Sequence, residues 1–359
     1  MLEEDGAALV VPPAEEALDL TRLGPWLRAQ LGVEGEVETF RFAGGHANLT
    51  YLLRAGGQEF ILRRPPLGPV PAGAHDMRRE HRVLSRLNPV FPLAPRSLAL
   101  CEDESVIGAI FMIAERREGL NILLDMPAHL QGRPDLNRRI GEMLIDVLAD
   151  FHAVDAEAAG LGDLGRPEGF MQRQLDGWTK RWAVALDRDY PQTEALLGWL
   201  RDRMPAPQRA GLVHNDFKLD NLLVAHDDPA RPVALLDWDM CTRGDPLSDL
   251  GYLLNYWGEA GDPPDWIAAA SMPSWRPGFP TRAEAIGRYA ARSGLDCAAI
   301  GWYQVFNAFR LAVIIQQIYI RYLRGQTSDA RFAAFGGRVA ALIDKAGVLA
   351  GVGGEVAGK

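Results

Sequence analysis

The sequence predicts an α+β protein of two lobes, a small β-rich one followed by a larger, mostly helical one. Three observations predict it. The chain has 359 residues, more than a single hydrophobic core usually serves. Strand-like segments crowd the stretch before Glu115, and helical spacing dominates after it. The expected boundaries are residues 1–115 for the first lobe and 116–359 for the second.

The elements follow in order. After a loose, Pro-rich start, "DLTRLGPWLRAQLG" has helical spacing at Leu20, Leu23, Trp26, Leu27 and Leu31 and stops at Gly32. "VETFRFA", "LTYLLRA" and "EFILRR" read as strands joined by the turn-forming "GGHAN" and "GGQ". A Pro/Gly-rich loop, Pro65 to Gly73, leads to a helical pattern in "HDMRREHRVLSRL". "RSLALCED" and "VIGAIFMIAER" supply two more strands. Beyond them, "LNRRIGEMLIDVLADFHAV", "GFMQRQLDGWTKRWAVAL" and "TEALLGWLRDRM" are amphipathic helices. "WYQVFNAFRLAVIIQQIYIRYLRG" is a core helix, because Arg310, Gln316 and Gln317 interrupt its apolar run.

Composition narrows the function. A net charge of −9 argues against a nucleic-acid binder, which needs a basic footprint. No apolar run approaches the roughly 20 residues of a membrane span. Three scattered cysteines, Cys101, Cys241 and Cys297, fit neither a disulfide framework nor a zinc site. The acidic, Pro-rich N-terminus is unlike a signal peptide, so a cytoplasmic protein, a monomer or weak homodimer, is expected.

"LVHNDFKLDNLLVAHDDPARPVALLDWD" carries the chemistry. Leu222–Ala225 and Val233–Leu236 form a hairpin around a Pro- and Asp-containing turn. Antiparallel pairing puts Asn221, before the first strand, beside Asp237, after the second. An amide oxygen and a carboxylate so arranged suit Mg²⁺. Asp216 lies five residues upstream, where it can orient or deprotonate a hydroxyl nucleophile. The pattern His-x-Asp-x₄-Asn with a later metal-binding Asp is that of a kinase catalytic loop, here His214, Asp216, Asn221 and Asp237. Lys218 can direct its charge at a transferring phosphoryl group, and His214 braces the loop. A rival reading makes Asp237 the nucleophile of a phosphatase with Asp239 as acid/base, but Cys241 stands where that motif wants Thr or Val.

Such an enzyme needs a cation on the nucleotide phosphates and an acid to hold it. The first 179 residues contain no lysine, so Arg63 takes the role, with Glu80 as its partner. In "AGGHANLTYLL", Gly44 and Gly45 permit close backbone approach over phosphates, while His46, Asn48 and Thr50 offer donors. His75 reads either as a neighbour of the phosphates or as a solvated loop histidine. Asp239 either assists Asp237 or caps the next turn. Arg173, Trp178 and Arg181 read as an anion site or, for the tryptophans, as core.

"LVHNDFKLDNLLV" and "LLDWDMCTRGDPLSDLGYLL" resemble the two main motifs of the aminoglycoside-phosphotransferase (choline-kinase-like) family. "FAGGHANLTYLLR", "FILRRPPLG", "AHDMRREHRVLSRL", "GRPEGFMQRQLDGWTKRW" and "FNAFRLAVIIQQIYIRYLRG" are similar to one branch of it, the kinase-like domain fused in some animal proteins to an acyl-CoA dehydrogenase. The resemblance implies a protein-kinase-like bilobal fold and ATP with Mg²⁺ as cofactors. It implies adenine contacts from the backbone at Glu115 to Arg117, Asp216 as catalytic base, Asn221 and Asp237 on the metal, and Asp249 as a brace for the loop. It implies a small-molecule hydroxyl substrate, a hydroxyacyl-CoA first, and no flavin, the chain being too short for both fused domains. The alternative is a non-catalytic module that binds nucleotide or acyl-CoA, consistent with Arg63 in place of lysine.

Overall fold

The computed structural model describes residues 2–4, 7–43, 48–68, 75–270, 272–327 and 329–352. The chain divides into two compact units: Met1–Ile122 with Glu157–Leu161 and Asn221–Cys241, and Leu123–Ala156 with Gly162–Asp220 and Thr242–Lys359. The expected boundary after residue 115 follows chain order. The first unit also gathers the later hairpin, because strand pairing ignores chain order.

The first unit is built on an antiparallel sheet. Its strands are β1 (Leu2–Glu4), β2 (Ala7–Val10), β3 (Val37–Phe42), β4 (Leu49–Ala55), β5 (Gln58–Arg64), β6 (Ser97–Cys101) and β7 (Phe111–Glu115). Among the described residues their order is β1-β2-β3-β4-β5-β7-β6. Alternation and turn residues predict β3 to β7, whereas β1 and β2 fall in the stretch expected to be a loose start. The short run Ala7–Val10 pairs Leu9 with Phe42 and buries Leu9 completely. A separate short strand, β8 (Leu120–Asn121), follows the connector.

Chain order continues with β9 (Gly211–Val213), β10 (Leu222–Val224), β11 (Pro232–Leu235) and β12 (Thr242–Gly244). β10 pairs with β11 on one side and β8 on the other, completing the first unit. β9 and β12 pair with each other in the second unit.

Two helices flank the sheet, α1 (Leu20–Leu31) and α2 (Met77–Leu87). Asp19 caps α1 by accepting the Thr21 N–H at 3.0 Å, and Asp76 caps α2 from Arg78 and Arg79. Leu23 and Leu27 of α1 join Tyr51, Leu53, Leu62, Phe111 and Ile113 in one core. Each such side chain contributes about 1.5–3 kcal/mol by leaving water. The buried stripe of α2 is Met77, Glu80, Val83, Leu84 and Leu87. Glu80 is its one charged member, which marks it as held by a partner rather than by packing.

The second unit is helical: α3 (Pro134–His152), α4 (Phe170–Ala185), α5 (Gln192–Asp202), α6 (Leu247–Tyr256), α7 (Pro264–Ala269), α8 (Arg282–Ser293), α9 (Ile300–Leu323) and α10 (Phe335–Ala350). The 24-residue α9 is the spine, packed by α4, α6 and α10. No helix among the described residues is long and apolar enough to cross a membrane.

α6 is buried along its whole length, and at Gly251 it lies directly against Tyr303 of α9. A Cβ there would lie 2.5 Å from Tyr303 Cβ and 2.7 Å from the Tyr303 backbone carbon. Gly251→Ala is therefore expected to destabilise the protein by about 1–3 kcal/mol, since the α9 backbone cannot yield as a flexible side chain would. Chemical denaturation measures it, and an unchanged midpoint would show that the helices separate freely.

Candidate active site

The chemistry-bearing residues fall in both units. In the first, alternation along β5 sends Phe60, Leu62 and Arg64 to the core face and Ile61 and Arg63 to the other. Arg64 ends on the Ile107 carbonyl at 3.0 Å. Arg63 Nε lies 3.1 Å from Glu80 Oε1, the pairing expected from the sequence, and its NH2 lies 3.1 Å from Asp237 Oδ1. The second contact spans 174 positions and had no local signal in the sequence.

Charge around Arg63 is unbalanced. Burial works to lower its pKa, but Glu80, Asp237 and Asp239 raise it further above its ordinary value. Burial pushes the Glu80 carboxyl up to about 7, against the pull of Arg63 and with the help of Asp237 and Asp239. The two shifts point opposite ways for an ion pair; the geometry favours a charged Arg63 shared among more carboxylates than it can neutralise.

The hairpin brings the residue before β10 and the residue after β11 to one end. The Leu236 N–H donates to the Asn221 carbonyl at 2.8 Å, so the residues flanking β10 and β11 lie at the same end. Asp237 itself sits at φ 67°, a left-handed conformation uncommon outside glycine and tolerated best by Asp and Asn. Its neighbour Trp238 is 1% exposed and donates its indole N–H to the Leu235 carbonyl at 2.7 Å. That buried ring fixes the chain on either side of Asp237. Cys241 is buried, and its carbonyl accepts from Arg79.

Of the residues expected over the phosphates, Gly44, Gly45 and His46 lie outside the described residues. Asn48 is 4% exposed; its Oδ1 contacts His75 Nδ1 at 2.8 Å and its Nδ2 donates to Asp239 Oδ2 at 3.5 Å. His75 thus has a defined partner, also at positive φ. At the connector, Glu115 is held by the Arg96 backbone N–H (2.8 Å) and by the Arg117 guanidinium (2.7 Å). Arg117 also donates to the Pro92 carbonyl at 3.2 Å.

In the second unit, Asp249 organises the loop carrying Asp216. This carboxylate is 1% exposed and accepts the His214 N–H at 2.6 Å, the Asn215 N–H at 2.8 Å and a His152 Nε2 contact at 3.2 Å. Burial would raise its pKa, but the His152 hydrogen bond and the histidines around it outweigh burial and hold it below the ordinary value. His214 is fully buried, and its Nδ1 accepts the Asp216 N–H at 3.3 Å. Asn215 sits at φ 67° and gives its carbonyl to Arg310 at 2.8 Å. Strain of this kind persists only where surrounding contacts over-determine it.

Asp216 Oδ1 accepts the Tyr252 hydroxyl at 2.6 Å, and Oδ2 lies 3.8 Å from the Lys218 ammonium. Lys218 also donates to Asp220 at 3.1 Å. Burial works against its charge, but Asp216 and Asp220 prevail and hold its pKa above the ordinary value. Trp178 and Trp182 are buried, while exposed Arg181 lies 4.5 Å over the Trp178 ring. Arg173 is occupied by the backbone carbonyls of Arg166 and Glu168. Tyr252 and Arg310 were not singled out as site residues; their placement depends on contacts 36 and 95 positions away.

Comparison with known proteins adds relationship to geometry. Residues 39–292 match the phosphotransferase enzyme family. The mouse acyl-CoA dehydrogenase family member 10 is 33% identical over 318 residues, covering 88% of this chain but 29% of that protein. The chain therefore spans under a third of that relative. A Ralstonia eutropha crystal structure, named for the aminoglycoside phosphotransferases, is 31% identical, covers 94% of this chain and all of its own, and superposes with a TM-score of 0.80. A thermostable aminoglycoside phosphotransferase variant, solved with ADP and hygromycin B, shares the fold at 18% identity and a TM-score of 0.56, covering 90% of this chain and 98% of its own. The kinase-like fold expected from the motifs is the fold observed, an antiparallel sheet in the first unit and helices in the second.

Proposed function

The chain belongs to the phosphotransferase enzyme family, and on that premise we propose that it transfers the γ-phosphate of ATP to a hydroxyl of a small molecule. The observation that carries the reading is Asp216, a carboxylate hydrogen-bonded by Tyr252 and facing the Lys218 ammonium, in a loop whose backbone is pinned by buried Asp249. Phosphoryl transfer asks little covalent chemistry of the protein and much positioning. A fixed carboxylate that can orient an acceptor hydroxyl and take its proton meets that demand.

The other residues take roles in turn. Arg63, steadied by Glu80, engages the nucleotide phosphates. Gly44, Gly45, His46 and Asn48 cover them, and the backbone from Glu115 to Arg117 meets adenine. Lys218 places positive charge on the transferring group. Asn221 and Asp237 offer the hard oxygen donors that Mg²⁺ prefers, and the surplus of carboxylates around Arg63 favours an added cation. Bound Mg²⁺ would supply charge neutralisation on the phosphate oxygens.

A hydroxyacyl-CoA is the first acceptor to test, given the name of the mouse relative; aminoglycosides follow from the name of the Ralstonia structure. The experiment is ADP release from Mg-ATP over hydroxylated acyl-CoAs, aminoglycosides, choline and homoserine. Turnover is expected on one class, abolished by EDTA and restored by Mg²⁺. ATP binding by calorimetry with no ADP release on any class would make the chain a nucleotide-holding module, with arginine at position 63 the first residue to revert to lysine.

A further inference from the structure

We propose that Tyr252 is a positioning residue for Asp216, its phenol fixing one carboxylate oxygen so that the acceptor meets the carboxylate in a single orientation. The inference deepens the phosphotransfer reading and rests on it. It begins with helical periodicity. Residues 249, 252 and 256 recur at spacings of three and four, which puts them on one face of α6. Asp249 at the first turn takes the loop backbone through two N–H groups. One turn later, Tyr252 takes the loop side chain through Asp216 Oδ1 at 2.6 Å. Another turn on, the Tyr256 hydroxyl meets the Tyr252 hydroxyl at 3.0 Å. One helix face therefore reads backbone and side chain of the same loop.

The Tyr252 ring is itself held. Its residue is 5% exposed, and the Arg310 guanidinium stands 5.0 Å over the ring, with the Trp178 ring 5.5 Å from that guanidinium. Arg310 also donates to the Asn215 carbonyl, tying the residue before Asp216 to the cation that holds the phenol. The groups facing Tyr252 are thus Asp216, Tyr256 and Arg310. Burial, with Tyr256 and Asp216 beside it, pushes the Tyr252 phenol well above its ordinary pKa, so it stays protonated and donates. The phenol hydrogen-bonds one carboxylate oxygen, and the Lys218 ammonium faces the other at 3.8 Å. A carboxylate hydrogen-bonded at one oxygen to a buried phenol favours one rotamer, and orientation of this kind is worth large factors in rate.

The test compares Tyr252→Phe, Tyr256→Phe and Asp216→Ala with the wild-type chain. Each is assayed with Mg-ATP on the acceptor panel above and with water as the acceptor. Tyr252→Phe is expected to lower kcat about 10- to 100-fold, the range for a hydrogen bond to a charged group, with KM for ATP unchanged. Its thermal midpoint should move by less than about 4 °C, because the ring remains. Tyr256→Phe removes the hydroxyl–hydroxyl contact but leaves the Tyr252 hydrogen bond to Asp216, so its kcat should fall less than that of Tyr252→Phe. Wild-type kcat in Tyr252→Phe, or an equal fall in both tyrosine variants, overturns the inference while Asp216→Ala remains inactive. No ADP from the wild-type chain with any acceptor overturns the phosphotransfer reading and this inference with it, whereas activity retained in Asp216→Ala removes Asp216 from the chemistry and overturns this inference while phosphotransfer stands.

Discussion

Asp216→Ala is expected to lower phosphotransfer about a thousandfold, within the range typical of a positioned acid or base, while nucleotide affinity stays nearly unchanged. The reason lies in what the side chain does and does not hold. Its side chain meets the Tyr252 hydroxyl and the Lys218 ammonium, and its backbone N–H is taken by His214. The loop backbone is fixed through Asp249 and Arg310. The substitution therefore removes the group proposed to orient the acceptor and leaves the loop's backbone contacts in place. ADP release measures the first effect and calorimetric titration with a non-hydrolysable ATP analogue the second. Turnover within tenfold of wild type would remove Asp216 from the chemistry; lost nucleotide binding with lost turnover would make it a structural residue.

The second large effect concerns stability. Asp249→Ala is expected to cost about 3–5 kcal/mol, because it strands several buried donors at once: the N–H groups of His214 and Asn215 and the ring of His152. Asp249→Asn preserves the shape and should cost less. The pH dependence separates charge from shape. The folded pKa of Asp249 lies below its ordinary value, so the unfolded chain takes up the proton first as pH falls. Its contribution is complete well above about pH 4, the ordinary carboxylate range, and drains away as pH drops through the folded value. Denaturant titrations at pH 7 and pH 3 should show the wild type losing its margin over Asp249→Asn at the lower pH. A margin equal at both would mean that the carboxylate's charge contributes nothing.

Much of this was legible in the sequence, for definite reasons. β3 to β5 follow from alternation and turn residues, and α3, α4 and α9 from apolar spacing. The hairpin could be drawn because Asn221 and Asp237 flank short apolar runs that have only one way to pair. Arg63 and Glu80 could be matched because a kinase-type lobe pairs a phosphate-binding cation with an acid on the following helix, and they do meet. α8 was missed although its start is written locally, with Thr281 and Glu284 forming a capping box and Gly294 closing the helix. Unread too was the run Ala7–Val10 ending before paired prolines, the signal for β2. The contacts of Tyr252 and Arg310 were not legible at all. A tyrosine three residues after an aspartate on an apolar helix reads as core, and only the path of the loop between β9 and β10 turns its hydroxyl toward Asp216.

Gly251 has a consequence beyond stability. The contact of Gly251 with Tyr303 of α9 falls between the residue that grips the loop backbone and the one that hydrogen-bonds its side chain. The interior thus acts as a gauge for the catalytic loop. A methyl group added at that point lifts Asp249 and Tyr252 together, and a residue inserted there turns Tyr252 about 100° around the axis while Asp249 stays. If the proposed activity holds, adaptation to a new temperature through repacking of α9 would retune turnover as a by-product, and variants selected for turnover alone should accumulate on this contact.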